Sequence, residues 1–170
     1  MTEADFRDAF RHHKDVVYRF AYRMSGSGAS AEDVVQDCFA ALWSKPGGYD
    51  PERGAMRAYL LGIARNLMLK RWRAEPRYET EDAILSISPP VDLVRMERSE
   101  AVAAAVRALP PLQREALVLA EYEELALEEI ARLTGADLAA VKSRLHRARQ
   151  NLRKMLAPLS ETKGNSYGAK

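Results

Sequence analysis

The stretch Leu127 to Lys154, LEEIARLTGADLAAVKSRLHRARQNLRK, reads as a helix, a tight turn and a second helix. Ala131 is small, as the close crossing of two helices requires. Gly135, four residues on, supplies the left-handed backbone that ends the first helix, and Asp137 is placed to cap the second. In that second helix Leu138, Val141, Leu145, Ala148 and Leu152 recur at spacings of three and four, which predicts an inward seam. Lys142, Ser143, His146, Arg147 and Arg149 are then left outside. A basic amphipathic helix on its own reads as a solvated face. Joined to a small crossing residue, a turn glycine, a cap and one-sided charge, it points instead to a helix laid in a DNA major groove, with cations for phosphates and short or forked polar groups for base edges.

Working outward from this unit, glycine and proline cluster at Gly26 and Gly28, at Pro46 to Gly54, at Pro76, at Pro89 and Pro90, and at Pro110 and Pro111. They punctuate helices. Between them the apolar spacing is helical, as in Val34, Val35, Cys38, Phe39, Leu42 and Trp43, or in Met56, Tyr59, Leu60, Ile63 and Leu67, and no strand alternation stands out. The expected fold is all-α. Residues 74–98 change texture, with three prolines and six acids against three arginines. They read as a flexible acidic linker between two small helical bundles, 1–73 and 99–157, with the helix-turn-helix in the second. The polar stretch 158–170 is expected to be a disordered tail.

The 170 residues hold 26 Lys plus Arg against 24 Asp plus Glu, so the net charge of +2 is silent about partners, whereas its distribution is not. Gly54 to Ala74 contains Arg57, Arg65, Lys70, Arg71 and Arg73 and no acid, and Leu138 to Lys154 contains six basic residues and no acid. Between them, Ala101 to Ile130 carries six acids and two arginines. Two acid-free basic helices in two bundles suggest two contacts with one polyanion. In the first of them Tyr59 and Trp72 stand among cations, and Asn66 lies between Arg65 and Leu67. Such a set suits single-stranded nucleic acid, with aromatics to stack bases and cations to hold the backbone, but taken alone Tyr59 and Trp72 read as core or half-buried residues and Asn66 as a solvated one.

The single cysteine, Cys38, excludes an intramolecular disulfide and a cysteine-built zinc site, suits a reducing compartment, and falls on an apolar stripe as a buried small hydrophobe. His12, His13 and His146 lack metal spacing, and Ser25 to Gly28 lacks the lysine and spacing of a phosphate loop. No catalytic constellation stands out, so neither an enzyme, a cofactor nor a metal is expected. No apolar run approaches the ~18 residues of a membrane helix, and the opening MTEADFRDAF is acidic where a signal peptide is basic. A cytoplasmic protein without membrane insertion is expected.

Three motifs, in order, resemble the small extracytoplasmic-function (ECF) sigma factors of bacterial RNA polymerase. AEDVVQDCFAALW (31–43) resembles their core-polymerase-binding helix, and AMRAYLLGIARNLMLKRWR (55–73) resembles their promoter-melting and minus 10 reading helix. LPPLQREALVLAEYEELALEEIA (109–131) with VKSRLHRAR (141–149) resembles their minus 35 reading helix-turn-helix. The resemblance implies a non-catalytic subunit that directs promoter-specific initiation, with core RNA polymerase, promoter DNA (duplex and melted non-template strand) and an anti-sigma factor as partners. It places Asp33, Gln36 and Asp37 on the polymerase. It places Tyr59, Arg65, Asn66, Lys70, Arg71 and Arg73 at the minus 10 element, with Asn66 on a flipped base. Lys142, Ser143, Arg144, His146, Arg147 and Arg149 fall at the minus 35 element. Three departures are visible: Glu124-Leu125-Ala126 replaces Gly-Leu-Ser, which removes a hydroxyl cap, Ala139-Ala140 replaces Gly-Thr, and His146 stands where an aromatic sometimes occurs. The alternative is a stand-alone helix-turn-helix regulator with a sensor in its N-terminal half, which would need a pocket or a dimer seam there.

Overall fold

A computed structural model describes residues 1–74 and 95–164. Among the described residues seven α-helices follow one another: α1 Glu3–Ser25, α2 Gly28–Ser44, α3 Met56–Arg73, α4 Arg98–Ala108, α5 Pro111–Leu117, α6 Leu127–Thr134 and α7 Leu138–Gly164. A short 3-10 turn, Pro51–Arg53, precedes α3, and α5 runs on into a π-helical turn, Val118–Tyr122. No strand occurs among the described residues, in line with the all-α expectation.

Local chemistry sets the helix ends. At the start of α1 Thr2 and Asp5 cap each other: the Asp5 N–H donates to Thr2 Oγ1 at 3.2 Å and the Thr2 N–H to Asp5 Oδ2 at 2.8 Å, two donors that would otherwise be unpaired in the first turn. Gly26 ends α1 at φ 70°, a backbone favourable to glycine, and Ser27 accepts from the Ser30 N–H to cap α2. Pro111 opens α5, where its missing N–H costs nothing. Gly135 at φ 70° ends α6, and the Ala140 N–H donates to Asp137 Oδ1 at 2.7 Å, capping α7 as the sequence predicts. At Ala126 there is no hydroxyl, but Glu129 reaches back to accept the Ala126 N–H at 3.1 Å. Half of a capping box thus survives the departure from Gly-Leu-Ser.

The two bundles close on each other. Val17, Phe20 and Met24 of α1, Val34, Cys38 and Leu42 of α2, and Leu60, Leu61 and Met68 of α3 form the N-terminal core. Leu109, Leu117, Leu119, Ile130, Val141, Leu145 and Met155 form the C-terminal one, and both belong to one continuous apolar cluster. α6 lies on α3, with Leu133 over Gly62, where a Cβ would meet its Cγ at an ordinary contact distance of 3.6 Å. Most of the linker, residues 75–94, lies outside the described residues.

One boundary differs from expectation. α7 continues through Pro158 to Gly164, past the point where a disordered tail was expected. Proline costs a helix one backbone hydrogen bond and is read from sequence as a stop. Here Leu159 packs with Met96 against Ala101 and Ala104 of α4, and that burial holds the extra turn. Residues 165–170 lie outside the described residues.

Candidate nucleic-acid interface

α7 keeps an inner and an outer face as its spacing predicts. Val141, Leu145, Ala148 and Met155 are buried, Leu138 and Leu152 are half-buried, and Lys142, Ser143, His146 and Arg147 are exposed on the other side. Asn151 anchors the helix to α5 by donating to Gln113 Oε1 at 2.7 Å. The remaining two candidates are differently placed. Arg149 is exposed but bound to Glu121 of the π turn, its Nε 2.9 Å from Oε1. Arg144 is half-buried and its charge bears on Glu115 of α5.

α3 presents a more divided picture. Asn66, Lys70 and Arg73 are exposed. Tyr59 is half-buried with its ring 5.5 Å from that of Tyr49, and Trp72 is half-buried with the Arg114 guanidinium 5.9 Å from its ring centre. Arg71 donates to Ser30 O and to Asp37 Oδ2, each at 3.4 Å. Arg65 turns away from solvent: its Nε bonds Glu115 Oε1 and its second nitrogen lies 3.4 Å from Oε2. The Arg65 side chain is 12% exposed and that of Glu115 2%. Burial pushes the Glu115 carboxyl above its ordinary range, with Arg65 and then Arg144 opposing the shift.

A second carboxylate repeats the arrangement. Glu123, fully buried, accepts from Arg57 of α3 at 2.7 Å and faces Arg23 of α1 at 3.5 Å, while Arg23 also lies 4.3 Å over the Tyr122 ring. The π turn and the positive φ of 53° at Glu124 accompany this placement of Glu123. Arg114 completes the joint by donating to the Met24 and Leu109 carbonyls, the latter at 2.9 Å. Met24 lies in the last turn of α1, where the helix dipole favours a cation. Sequence reasoning counted Glu115 and Glu123 only as part of an acidic segment. The available signal was the position of Glu115 on the apolar stripe between Leu112 and Leu119, where an acid needs a buried partner.

On α2 the expected edge is intact: Asp33, Gln36 and Asp37 are exposed, while Val34, Cys38 and Phe39 point inward. Cys38 is buried, its thiol pushed up to about 12 by burial, with Sγ 3.4 Å from Leu60 O. At the far end of this helix Trp43 is 52% exposed, and Phe10 of α1 beside it 39%. Their neighbours Phe6 and Phe39 meet them edge-on, the ring centres 5.0 Å apart for Phe6 and Trp43 and 4.9 Å for Phe10 and Phe39. Exposed aromatics grouped in this way mark an interaction surface. No helix among the described residues is long and apolar enough to cross a membrane.

Comparison with known proteins agrees with this geometry. Residues 9–78 match the family model of sigma-70 region 2 and residues 99–152 that of sigma-70 region 4. The ECF RNA polymerase sigma factor SigE of Mycolicibacterium smegmatis is 38% identical over 164 residues, covering 92% of this chain, which in turn spans 63% of that protein. SigW of Bacillus subtilis is 30% identical over 169 residues, covering 91% of this chain and 90% of its own. Among solved structures, the sigma factor RpoE in complex with the anti-sigma factor NepR from Bartonella quintana superimposes with a TM-score of 0.72 at 26% identity, over 90% of this chain and 97% of that one. With both regions present in order, and a relative matched nearly end to end, the chain belongs to the ECF RNA polymerase sigma factors.

Proposed function

We propose that the chain works in the cytoplasm as a promoter-recognition subunit of RNA polymerase. In this reading 1–73 binds the core enzyme and the minus 10 element, and 99–157 binds the minus 35 element. The observation that carries it is the open outer face of α7, where Lys142, Ser143, His146 and Arg147 stand opposite the buried Val141, Leu145 and Ala148. Arg147 and Lys142 are placed to engage guanine edges or phosphates, and Ser143 and His146 to add short polar contacts. Core polymerase docks on Asp33, Gln36 and Asp37, and Trp43 and Phe10 extend that edge with apolar surface. Asn66, exposed on α3 with Lys70 and Arg73, offers an amide donor and acceptor to an extruded base.

The closed arrangement adds a step. Arg57 and Arg65 serve Glu123 and Glu115, so the whole basic charge of α3 reaches DNA only when the C-terminal half lifts away and phosphates replace the carboxylates. An anti-sigma partner that holds the halves together would keep the factor idle, and NepR bound to the structurally similar RpoE supports such control. Run-off transcription with purified core polymerase tests the function: the chain should confer initiation at a promoter that core alone ignores, and no added initiation would refute it. Asn66→Ala should retain core binding yet lose the permanganate-reactive thymines of an open complex, and normal melting in that variant would remove Asn66 from base capture.

A further inference from the structure

The ends of α1 and α3, the first turn of α2 and the α4–α5 corner border a half-open cavity of about 650 Å3 in which three arginines converge. Arg71 comes from α3, Arg107 from the last turn of α4 and Arg114 from α5, with Ser30, Met68 and Trp72 completing the wall. No carboxylate among the described residues lines it. Asp37 reaches Arg71 at 3.4 Å from the exposed side, while Arg114 donates to two carbonyls and lies against the Trp72 ring, and its Nε is buried without a hydrogen-bond partner.

Arg71 has Asp37 on its exposed side, but Arg107 and Arg114 face no carboxylate among the described residues, and they lie in a partly dry place. Burial, and after it the charge of Arg107, bring the Arg114 guanidinium down to about 10. Arg107 reaches the cavity across Gly26. Its stem crosses the turn between α1 and α2 so closely that a Cβ on Gly26 would stand 2.6 Å from Arg107 Cδ, and a side chain there would push the Arg107 stem aside. Guanidinium forks match phosphate oxygens in geometry as well as charge, and the Trp72 indole supplies a flat apolar wall beside them.

We propose that this cavity binds a small-molecule oligophosphate, with two or more linked phosphates, through Arg71, Arg107 and Arg114. The volume lies within the range of small-ligand sites. Because Arg71 belongs to the N-terminal half and Arg107 and Arg114 to the C-terminal half, the ligand ties the halves together. It favours the closed arrangement and opposes the opening that promoter binding needs.

Isothermal titration of the full chain with inorganic tripolyphosphate, ATP and sulfate, each at physiological salt, tests this. Tripolyphosphate should bind at one site and raise the melting temperature. ATP binding more tightly than tripolyphosphate assigns Trp72 to the base, and equal affinities assign recognition to the phosphates alone. Arg107→Met keeps the stem over Gly26 and removes only the charge. It should weaken binding by about tenfold or more, the loss of one charge-assisted contact, without changing the melting temperature of the free protein. Arg107→Ala should do the same. Arg98→Ala, at the other end of α4 and outside the cavity, should bind as wild type does. Absence of saturable binding, equal affinity for sulfate, binding of a single-stranded oligonucleotide alone, or undiminished affinity in both Arg107 variants would overturn the proposal.

Discussion

Between Gly54 and Ala74 there are five basic residues and no acid, and between Leu138 and Lys154 six and none, yet the two helices place their charge differently. α7 holds Lys142, Ser143, His146 and Arg147 in solvent. α3 sends Arg57 and Arg65 into the carboxylates of Glu123 and Glu115, 66 and 50 residues away in the chain. A charge count therefore identifies a basic helix but not the state of its cations. An exposed cation is ready for phosphate, whereas a buried paired one must first lose its partner, and in the function proposed above that loss makes binding conditional on opening.

The largest effect that would break this contrast is on Glu115. Glu115→Ala leaves Arg65, 12% exposed, without its partner; removing one member of a buried pair costs ~3 to 5 kcal/mol, and the escape of Arg65 to water sets the value near the lower end. Urea unfolding should show it, and a loss below about 1 kcal/mol would mean that the pair is not formed in solution. Arg147→Ala should leave unfolding unchanged and weaken binding to a minus 35 duplex by ~1 to 3 kcal/mol, with relaxed preference at one base pair if it reads a guanine. Equal weakening on every sequence would make it a phosphate contact. No weakening would leave the α7 face idle.

A pH series sharpens the same point. Burial raises the Glu115 carboxyl above its ordinary value of 4.5, so the folded state holds that proton more tightly than the unfolded one. Its stabilising contribution is full below 4.5 and is lost as pH rises through the folded value. The neutral acid still accepts from Arg65, which alanine cannot do, so this dependence is compatible with the cost of Glu115→Ala. In Glu115→Gln the component is absent, and the stability of wild type relative to this variant should fall as pH rises above 4.5. Parallel curves would contradict the burial argument. The smallest effect belongs to Glu121→Ala, whose pair with Arg149 is about half exposed on both sides; the change should stay under about 1 kcal/mol and vanish at high salt.

What the sequence discloses follows the range of the forces involved. The α6 to α7 turn was legible because Gly135, Asp137 and the Val141, Leu145, Ala148 seam act within a turn or two of chain. The inward placement of Cys38 and the open edge of Asp33, Gln36 and Asp37 follow from the same periodicity on α2. The Arg65–Glu115 and Arg57–Glu123 pairs were not legible, because partners 50 and 66 residues apart are chosen by how the C-terminal half docks, with α6 on α3 and the π turn on α1. The π turn itself sits in VLAEY, whose spacing reads as ordinary helix. Pro158 misled in the opposite direction: the local rule says stop, and the burial of Leu159 against Ala101 and Ala104 overrides it.

The most direct test is the distance between the halves. Spin labels on Asp8→Cys in α1 and Gln150→Cys in α7, both exposed positions, would report it by double electron–electron resonance. Cys38 would stay unlabelled, since a buried thiol pushed up to about 12 offers almost no thiolate. A single short distance in the free protein should give way to a longer one when core polymerase and promoter DNA are added. The same short distance in both states would mean that Arg57 and Arg65 remain with their carboxylates while transcription starts, and that α3 acts on DNA without the opening inferred from its buried pairs.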